Sequence, residues 1–497
     1  MELLLGIDVG TTACKAVLFD ADANAVANAR KEYKLQSFQN GRAEIDPNEM
    51  WKAVKFCICK IVEQCNGKIV ALAVSSHGEG VIPLDAVGSP LGMEIVSFDT
   101  RSINEAKELE KKFGHRYFFE KGGQILNSAG SITKIMWMKK YLHLSEEPSA
   151  YVCAGDFITM KLSGERVIDY SLAARTMMLD IHKKQWNEEL IEFIGLDKCQ
   201  LSIPIQGGTL VGYIQKEVAL ETGLNEDALI VSGGHDQPCA ILGTGITSTG
   251  EAAYSLGTTE TLICTMERFG EKLYHYGLPC YPHVLEGQYI TLPGNFTGGN
   301  LLQWYKNTFA DKEQELSKEL HKDVYEILME EMSDRPSGLI VLPHFTTTGS
   351  PWNDSQSQGM IIGLQLSTTK GEYIRALQEG VTLEILLNIT LLKEIGISLN
   401  KLVAVGGSTK SKKLMQLKAD VLGIPLYVPE KMEASCKGAA FLAGYGLGIV
   451  DKKQKAWMMD CRKDKYFLPS FEIHRQYLQI FVKYRKMYAA GKKIFKN

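Results

Sequence analysis

A strand–turn–strand pattern occurs twice in this chain, about 250 residues apart, and it restricts the possible folds more than any other feature. Near the start, apolar residues 3–7 and Asp8 are followed by Gly10-Thr11-Thr12 and by a second apolar run at 16–19. Residues 252–256 lead in the same way into Gly257-Thr258-Thr259 and a further run at 261–264. Two similar β-hairpins at this separation predict two domains that share one fold.

Each turn also has the residues that an anion site needs. Glycine lets the backbone approach a ligand closely, and successive N–H groups beside threonine hydroxyls form a concave anion-binding surface. Two such turns, facing each other across a cleft, would bind the phosphates of one nucleotide. For either turn alone, an ordinary hairpin turn remains the alternative.

The rest of the pattern is that of an α/β protein. A helix is expected from Pro47, with Asp46 as its N-cap, and residues 68–75 read as a buried strand. A strand at 402–405 runs into Gly406-Gly407-Ser408 and a helix at 412–422, a unit that often contacts nucleotides. The chain has no GxxxxGK[ST] loop, no GxGxxG after its first strand and no protein-kinase HRD or DFG motif. Any nucleotide chemistry must therefore use another fold.

Composition excludes several other classes of protein. The 497 residues are 45% hydrophobic and 23% charged, which is enough for each domain to bury a core. A net charge of −3 provides no basic field for nucleic acid. The 11 scattered cysteines are typical of a reducing compartment, and no apolar run approaches the ~18 residues of a membrane span. We expect a cytoplasmic protein with no nucleic-acid or membrane partner.

The clearest candidate for chemistry follows the apolar run at 229–231. Gly233-Gly234 makes a sharp turn before His235-Asp236-Gln237-Pro238, where a helix is expected to begin. Asp236 is either the N-cap of that helix or a general base that accepts a proton from a substrate hydroxyl. His235 is a second candidate base, although metal-bound phosphate chemistry favours a carboxylate.

The order and spacing of these motifs resemble the FGGY family of carbohydrate kinases. The matching segments are Ile7-Asp8-Val9-Gly10-Thr11-Thr12, Gly233-Gly234-His235-Asp236, Ser255-Leu256-Gly257-Thr258-Thr259 and Ala404-Val405-Gly406-Gly407-Ser408. Further matches at 298–304, 337–344 and 375–380 extend the resemblance from residue 3 to about 448. It implies an α/β fold with two ribonuclease H-like (actin/hexokinase/Hsp70-type ATPase) domains around a central cleft that holds ATP and substrate.

The resemblance also implies a role for individual residues. Asp236 matches the catalytic base, and Asp8 and Asp236 match the carboxylates near Mg²⁺, which act through water. The implied phosphate-binding and nucleotide-binding residues are Thr11, Thr12, Lys15, Gly257, Thr258, Gly299, Gln303, Gly406, Gly407 and Ser411. The implied substrate-binding residues are His77, Gly78, Glu79, Asp236 and Gln237.

Domain boundaries follow from the same matches. We expect an N-terminal domain at 1–246 on the sugar-binding side, with the catalytic aspartate at its end, and a nucleotide-binding C-terminal domain at 247–450. Residues 451–497 are expected to form a helical extension that packs on a domain or on a second subunit. FGGY kinases are often dimers, so a homodimer is considered, although no residue pattern indicates a dimer face.

The segment that selects the substrate departs from well-known branches of the family. The xylulokinase branch reads roughly Gln-Met-His-Gly here and the glycerol kinase branch Gln-Arg-Glu, whereas this chain has Ser76-His77-Gly78-Glu79-Gly80. Glu79 is predicted to accept hydrogen bonds from two vicinal hydroxyls of a sugar. Asp99 and Arg101 either contact the substrate or form an internal ion pair.

These features together predict an enzyme, an ATP-dependent kinase for a small sugar, ketose or polyol. Xylulose is the first candidate substrate, and gluconate, ribulose and erythritol remain open. The alternative is a non-catalytic protein that binds nucleotide or sugar without transfer. The presence of Asp8, Asp236 and both turns argues against that alternative.

Overall fold

The computed structural model describes residues 2–38, 41–429, 433–451, 457 and 465–495. Two large β-sheets, each with helices packed against it, follow one another along the chain. The first sheet and its helices are called the N-terminal lobe below, and the second sheet and its helices the C-terminal lobe. No helix in the described part of the chain combines the length and the apolar character needed to cross a membrane.

The sheet of the N-terminal lobe has the strand order β5-β6-β4-β1-β2-β3. Its strands are β1 (Glu2–Val9), β2 (Ala13–Phe19), β3 (Ala25–Glu32), β4 (Lys68–Ser76), β5 (Leu210–Tyr213) and β6 (Leu229–His235). The predicted hairpin joins β1 to β2, and β3 adds antiparallel to β2. β4 runs parallel to β1, and β6 runs parallel to β4. Nearly every residue of β1 is buried because the sheet is covered on both faces.

The sheet of the C-terminal lobe repeats this arrangement, with the order β9-β10-β8-β7-β12-β13-β14 and β11 paired to β8. Its strands are β7 (Glu251–Leu256), β8 (Glu260–Met266), β9 (Tyr281–Pro282), β10 (Tyr289–Thr291), β11 (Gly294–Asn295), β12 (Lys401–Val405), β13 (Leu426–Val428) and β14 (Lys465–Phe467). β7 and β8 form the second hairpin, and β12 and β13 run parallel to β7. The orders β3-β2-β1-β4-β6 and β10-β8-β7-β12-β13 therefore correspond, as the sequence repeat predicts.

The main helices include those predicted from Pro47, near Asp236 and at 412–422. They are α1 (Pro47–Gln64), α2 (Asp236–Gly243), α3 (Gly299–Phe309), α4 (Lys370–Glu394), α5 (Lys412–Leu422), α6 (Ala434–Gly446), α7 (Phe471–Tyr484) and α8 (Met487–Phe495). Asp46 caps α1 as predicted, because its carboxylate accepts a hydrogen bond from the Asn48 N–H and Pro47 occupies the first turn.

Shorter elements connect these units. The other helices are Ile103–Gly122, Ser131–Tyr141, Ala154–Ser163, Tyr170–Arg175, Glu188–Phe193, Lys216–Thr222, Asp311–Leu320 and Val324–Glu331. The other strands are Leu35–Ser37, Ala43–Ile45, Ile82–Leu84, Glu94–Ile95, Ala150–Val152, Val167–Asp169, Leu179–Asp180, Gln185–Trp186, Ile203–Ile205, Ile340–Leu342 and Met360–Ile362.

Helices α2 and α6 cross where the two lobes meet. α6 follows β13 in the chain, yet it packs against α2 and against β1 of the N-terminal lobe. A Cβ atom on Gly438 of α6 would lie 1.9 Å from the carbonyl oxygen of Cys239 in α2, and one on Gly243 would lie 1.9 Å from that of Ala434. The helices therefore touch backbone to backbone, which only glycine at these two positions allows.

The C-terminal extension packs on the C-terminal lobe, which is one of the two expected alternatives. Tyr477 of α7 donates a hydrogen bond to Glu379 at 2.6 Å and accepts one from Arg375 at 2.8 Å, and both partners lie on α4. Tyr484 donates to Glu384, one turn and a half further along α4. Part of the extension 451–497 lies outside the described residues.

Candidate active site

Three parallel strands of the N-terminal lobe end at one edge of the sheet and bring their last residues together. β1 ends at Val9, β4 at Ser76 and β6 at His235, so Asp8, His77 and Asp236 gather there. Ligands of open α/β sheets bind outside the carboxyl ends of the strands for this reason. The candidate catalytic residues come from well-separated parts of the sequence but share one site.

Asp8 is the first of two acids at this edge. In the sheet it lies beside Ser75 of β4 and Lys15 of β2, and the Ser75 hydroxyl donates to its Oδ1 at 3.1 Å. Burial raises the pKa of Asp8, and the Ser75 hydrogen bond and the Lys15 charge oppose that rise. A partly buried carboxylate with an elevated pKa gains from a nearby cation.

Asp236 is the second acid, and it is the first residue of α2 rather than its cap. His235 occupies the N-cap position, so the alternative in which Asp236 serves as the N-cap is wrong. The Oδ1 atom of Asp236 accepts a hydrogen bond from Gln237 Nε2 at 3.1 Å and lies 3.1 Å from His235 Nε2. Burial, followed by the negative charge of Asp8, raises the pKa of Asp236 to about 7. A carboxyl group with a pKa near neutrality suits a general base.

His235, the other candidate base, is poorly suited to that role. Burial and the positive charges of Arg175 and His77 lower its pKa well below the usual value. Its Nδ1 contacts the hydroxyl of Tyr281 at 3.1 Å and its Nε2 faces Asp236, so both ring nitrogens are engaged.

His77 begins the segment that is predicted to select the substrate. Its Nδ1 lies 3.0 Å from the Val9 carbonyl and its Nε2 lies 2.8 Å from Glu94 Oε1. Although burial favours the neutral ring, the Glu94 carboxylate prevails and raises the pKa of His77 to about 9. His77 is therefore a buried cation that is already paired with Glu94.

Glu79 and the pair Asp99–Arg101 form the adjacent wall. Glu79 accepts a hydrogen bond from Arg175. Arg101 donates to both carboxylate oxygens of Asp99, from Nε at 2.9 Å and from Nη2 at 2.6 Å, and also pairs with Glu44 at 2.7 Å. Of the two alternatives for Asp99 and Arg101, the structure shows the internal ion pair.

The turn of the first hairpin lies beside these acids. Thr11 is partly exposed and Thr12 is exposed, and Lys15 follows on β2, directly opposite Asp8. The Lys15 ammonium contacts Glu433, the residue before α6, at 2.7 Å, and the two side chains are 33% and 51% exposed. An anion that enters the cleft would compete with Glu433 for this lysine.

The turn of the second hairpin lies where three glycine segments meet. The Gly299 N–H, at the start of α3, donates to the Gly257 carbonyl at 2.9 Å, and the Asn300 N–H donates to that of Thr258. Gly406 has a φ of 113°, and a Cβ atom there would lie 2.4 Å from the Leu256 carbonyl oxygen. The structure thus brings Gly257, Thr258, Gly299 and Gly406 together.

The other predicted nucleotide residues differ in their surroundings. A Cβ atom on Gly407 would meet nothing within 4 Å, so this residue borders open space. Gln303 is exposed on the second turn of α3. The Ser411 side chain instead caps α5, because its Oγ accepts from the Leu414 N–H at 3.3 Å.

Sequence reasoning missed Arg175, Glu94 and Lys134, although each is charged and lies in the wall of this site. Lys134 donates to the backbone carbonyl of Ala129, and burial lowers its pKa to about 8 despite the opposing charges of Glu79 and Asp99. The available signal was a single charged residue inside an apolar run, as at Glu94 between Met93 and Ile95. That signal alone does not show which partner neutralises the charge.

The paired acids are the feature of this site that suits a metal ion. No cluster of three or more His, Cys, Asp or Glu side chains suited to a metal occurs among the described residues. Two partly buried carboxylates with raised pKa values, Asp8 and Asp236, nevertheless fit a Mg²⁺ ion that keeps several of its waters.

Family models match nearly the whole chain. The N-terminal domain model of the FGGY family of carbohydrate kinases matches residues 3–243, and its C-terminal domain model matches residues 252–447. The chain belongs to the FGGY family of carbohydrate kinases. As the resemblance implies, this enzyme is therefore a phosphotransferase that uses an alcohol group of a sugar as acceptor.

Sequence relatives of this FGGY kinase carry different substrate names. The xylulose kinase of Bacillus subtilis is 25% identical, over 99% of this chain and 98% of its own length. The autoinducer-2 kinase of Yersinia enterocolitica is 28% identical, over 95% and 91%. The gluconokinase of Bacillus subtilis is also 28% identical, over 90% and 88%. These relatives are all named as kinases, but their names give different substrates.

Solved structures confirm the fold of this FGGY kinase. A ligand-bound xylulose kinase from Lactobacillus acidophilus has a TM-score of 0.89 at 24% identity, covering 99% of this chain and 98% of that one. The glycerol kinase from Plasmodium falciparum with ADP has a TM-score of 0.86 at 22% identity, covering 98% of both chains. The predicted actin/hexokinase-type ATPase fold is confirmed.

Proposed function

We propose that this FGGY kinase transfers the γ-phosphoryl group of ATP to a hydroxyl of a small sugar, ketose or polyol, with Asp236 as the general base. The observation that carries the proposal is the carboxylate of Asp236 at the sheet edge, with a pKa raised to about 7 by burial and by Asp8. Positioned general bases contribute about 10²–10⁴-fold to rate and work best with a pKa near the operating pH.

The hydrogen bonds of Asp236 leave one oxygen for the substrate. Gln237 and His235 both contact Oδ1, and Oδ2 has no hydrogen-bond partner within the described residues. Oδ1 is thus held in place while Oδ2 accepts the proton of the attacking hydroxyl. Gln237 acts here as an orienting group, which is compatible with its predicted place among the substrate-binding residues.

The nucleotide is proposed to lie between the two hairpin turns. Thr11, Thr12 and Lys15 supply phosphate contacts from the N-terminal lobe, and Gly257 and Thr258 supply them from the C-terminal lobe. Gly299, Gln303, Gly406 and Gly407 would border the adenosine, and the open space beside Gly407 leaves room for a planar base. Ser411 would shape this wall through its cap on α5.

Asp8 and Asp236 would hold Mg²⁺, most simply through water. The ion supplies neutralisation of the phosphate charge. The protein contributes orientation, since phosphoryl transfer depends chiefly on positioning and electrostatics. We further propose three functional units: residues 1–246 bind the sugar, residues 247–450 bind the nucleotide, and residues 451–497 support the C-terminal lobe. We also propose a cytoplasmic location, which suits the many free cysteines.

Xylulose is the first substrate that we propose. Full-length relatives named xylulose kinase support it, while relatives named gluconokinase and autoinducer-2 kinase keep other acceptors in the test. ADP release from MgATP should be measured with xylulose, ribulose, erythritol, gluconate and autoinducer-2 as acceptors. One acceptor that raises ADP release far above the ATP-only rate supports the proposal. Nucleotide binding without acceptor-dependent ADP release from any of them would contradict it.

A further inference from the structure

An ion pair between Glu79 and Arg175 lies in the wall beside Asp236. Arg175 ends the helix Tyr170–Arg175, and its side chain is 19% exposed, against 9% for Glu79. Its Nη2 donates to Glu79 Oε1 and its Nη1 donates to Gln124 Oε1 at 2.7 Å. The ring of Tyr281, from the C-terminal lobe, lies 5.2 Å from the guanidinium carbon. Because the pair is largely withdrawn from solvent, salt screens it little.

Gly78 leaves the space that this arginine needs. A Cβ atom at position 78 would lie 3.3 Å from Cγ of Arg175 and 3.0 Å from Cδ2 of His235. Even a methyl group there would press on both neighbours, and a longer side chain would have to displace one of them. The position of the Arg175 side chain therefore depends on the absence of a side chain at Gly78.

The backbone holds the Glu79 carboxylate in a defined place. Glu79 has a φ of 64°, in the left-handed region that residues other than glycine seldom adopt. Such a conformation persists only where the surroundings determine it, and these include the Arg175 contact. Oε1 is occupied by Arg175, whereas Oε2 has no hydrogen-bond partner in the described ranges. Glu79 thus presents one free acceptor oxygen and no net unpaired charge.

Every side-chain cation of this wall that could meet a ligand is, within the described residues, already paired with an acid. His77 pairs with Glu94, Arg175 with Glu79, and Arg101 with both Asp99 and Glu44. Lys134 is completely buried and donates to backbone carbonyls. Glu79 and Arg175 both lie within electrostatic range of Asp236, which adds a further acid to this wall. A ligand therefore meets a surface that is neutral to negative.

We propose that the Glu79–Arg175 ion pair makes this site select an uncharged sugar and reject a sugar acid. The inference rests on the proposed function, and it names the class of acceptor for that same site. Neutral hydroxyls can donate to the free carboxylate oxygens, whereas a ligand carboxylate would meet Glu79 and Asp236 without a free cation to balance it. Such repulsion is a common source of specificity.

The experiment compares an uncharged ketose with the aldonate of the same carbon number in wild type and variants. Wild type should favour the ketose by about 100-fold or more in kcat/KM. In the Glu79→Gln variant, Arg175 loses its acidic partner and becomes a free cation. The preference for the ketose over the aldonate should therefore fall by about tenfold or more, mainly through a lower KM for the aldonate. The Arg175→Gln variant should not phosphorylate the aldonate faster than wild type does. The Arg175→Lys variant, which keeps a cation beside Glu79, should show the wild-type preference for the ketose.

The control is Arg116→Gln, which removes a surface pair with Glu120 on an exposed helix and should leave the preference unchanged. Thermal melting checks that each variant folds, and Arg175→Lys provides the test if Arg175→Gln does not fold. A wild-type preference for the aldonate, or a folded Glu79→Gln variant whose preference is unchanged, would overturn the inference while leaving the kinase assignment intact. Absence of phosphorylation of either class by wild type would overturn the proposed function instead.

Discussion

Replacing Asp236 with asparagine should make the ligand-free protein more stable at the same time as it removes activity. The pKa of Asp236 rises from an ordinary value of 3.8 to about 7 in the folded protein. Above pH 7 the fold must keep this carboxylate ionised, which costs roughly 4 kcal/mol for a fully buried group. Because the side chain is 31% exposed, solvent reduces this cost, and we expect about 1–3 kcal/mol.

The pH dependence gives the sign of the effect. The folded state binds a proton more tightly than the unfolded state, so this group favours folding at low pH and the benefit is lost as the pH rises from 3.8 through about 7. The asparagine that replaces it does not titrate. The stability advantage of Asp236→Asn should therefore be small near pH 4, grow up to about pH 7, and stay constant above it.

Urea unfolding with EDTA, at several pH values from 5 to 8.5, tests this prediction. Asp22→Asn, in an exposed turn, is the matched control and should give no such pH-dependent difference. Addition of Mg²⁺ with ATP should reduce the advantage, since wild type alone keeps both carboxylates. A variant that is equally or less stable than wild type at pH 8.5, in the absence of ligands, would refute the electrostatic reasoning for Asp236.

Three further predictions concern the nucleotide side and the contact between lobes. The Gly407→Ala variant should fold normally but raise the KM for ATP by about three- to tenfold, because its methyl group enters the open space beside this residue. The Gly406→Ala variant should instead lower the melting temperature, because a φ of 113° strains any residue other than glycine. Gly438→Val should destabilise the protein by about 3 kcal/mol or more in urea unfolding, because it forces α2 and α6 apart; wild-type stability would contradict the backbone contact. Glu433→Gln should lower the KM for ATP by about two- to fivefold by freeing Lys15, and an unchanged KM would argue against Lys15 as a phosphate contact.

Features that depend on neighbouring residues in the sequence could be predicted. The Asp46 cap and the two glycine turns each depend on a few consecutive residues, so their positions follow from local rules. The repeat of the hairpin indicated two similar lobes, and the family resemblance implied the same arrangement. Asp236 was found because a turn with two glycines places it at the end of a buried strand.

Features that depend on distant pairs could not be predicted. Arg175 and Glu79 are 96 residues apart, and nothing near either residue indicates the other. For that reason Glu79 was expected to accept two sugar hydroxyls, whereas one of its oxygens is bound to Arg175. The packing of α6 against the N-terminal lobe is similar, since its partners α2 and β1 lie far away in the sequence and no residue near α6 indicates them.

The most direct test measures turnover and ATP binding together in Asp236→Asn. With MgATP and the best acceptor, kcat should fall by about 10²–10⁴-fold, because the hydroxyl loses its proton acceptor. The dissociation constant for ATP, measured by calorimetry, should stay within about threefold of wild type, since the glycine turns and Lys15 are unchanged. A variant that retains nearly full sugar phosphorylation would show that another group acts as the base.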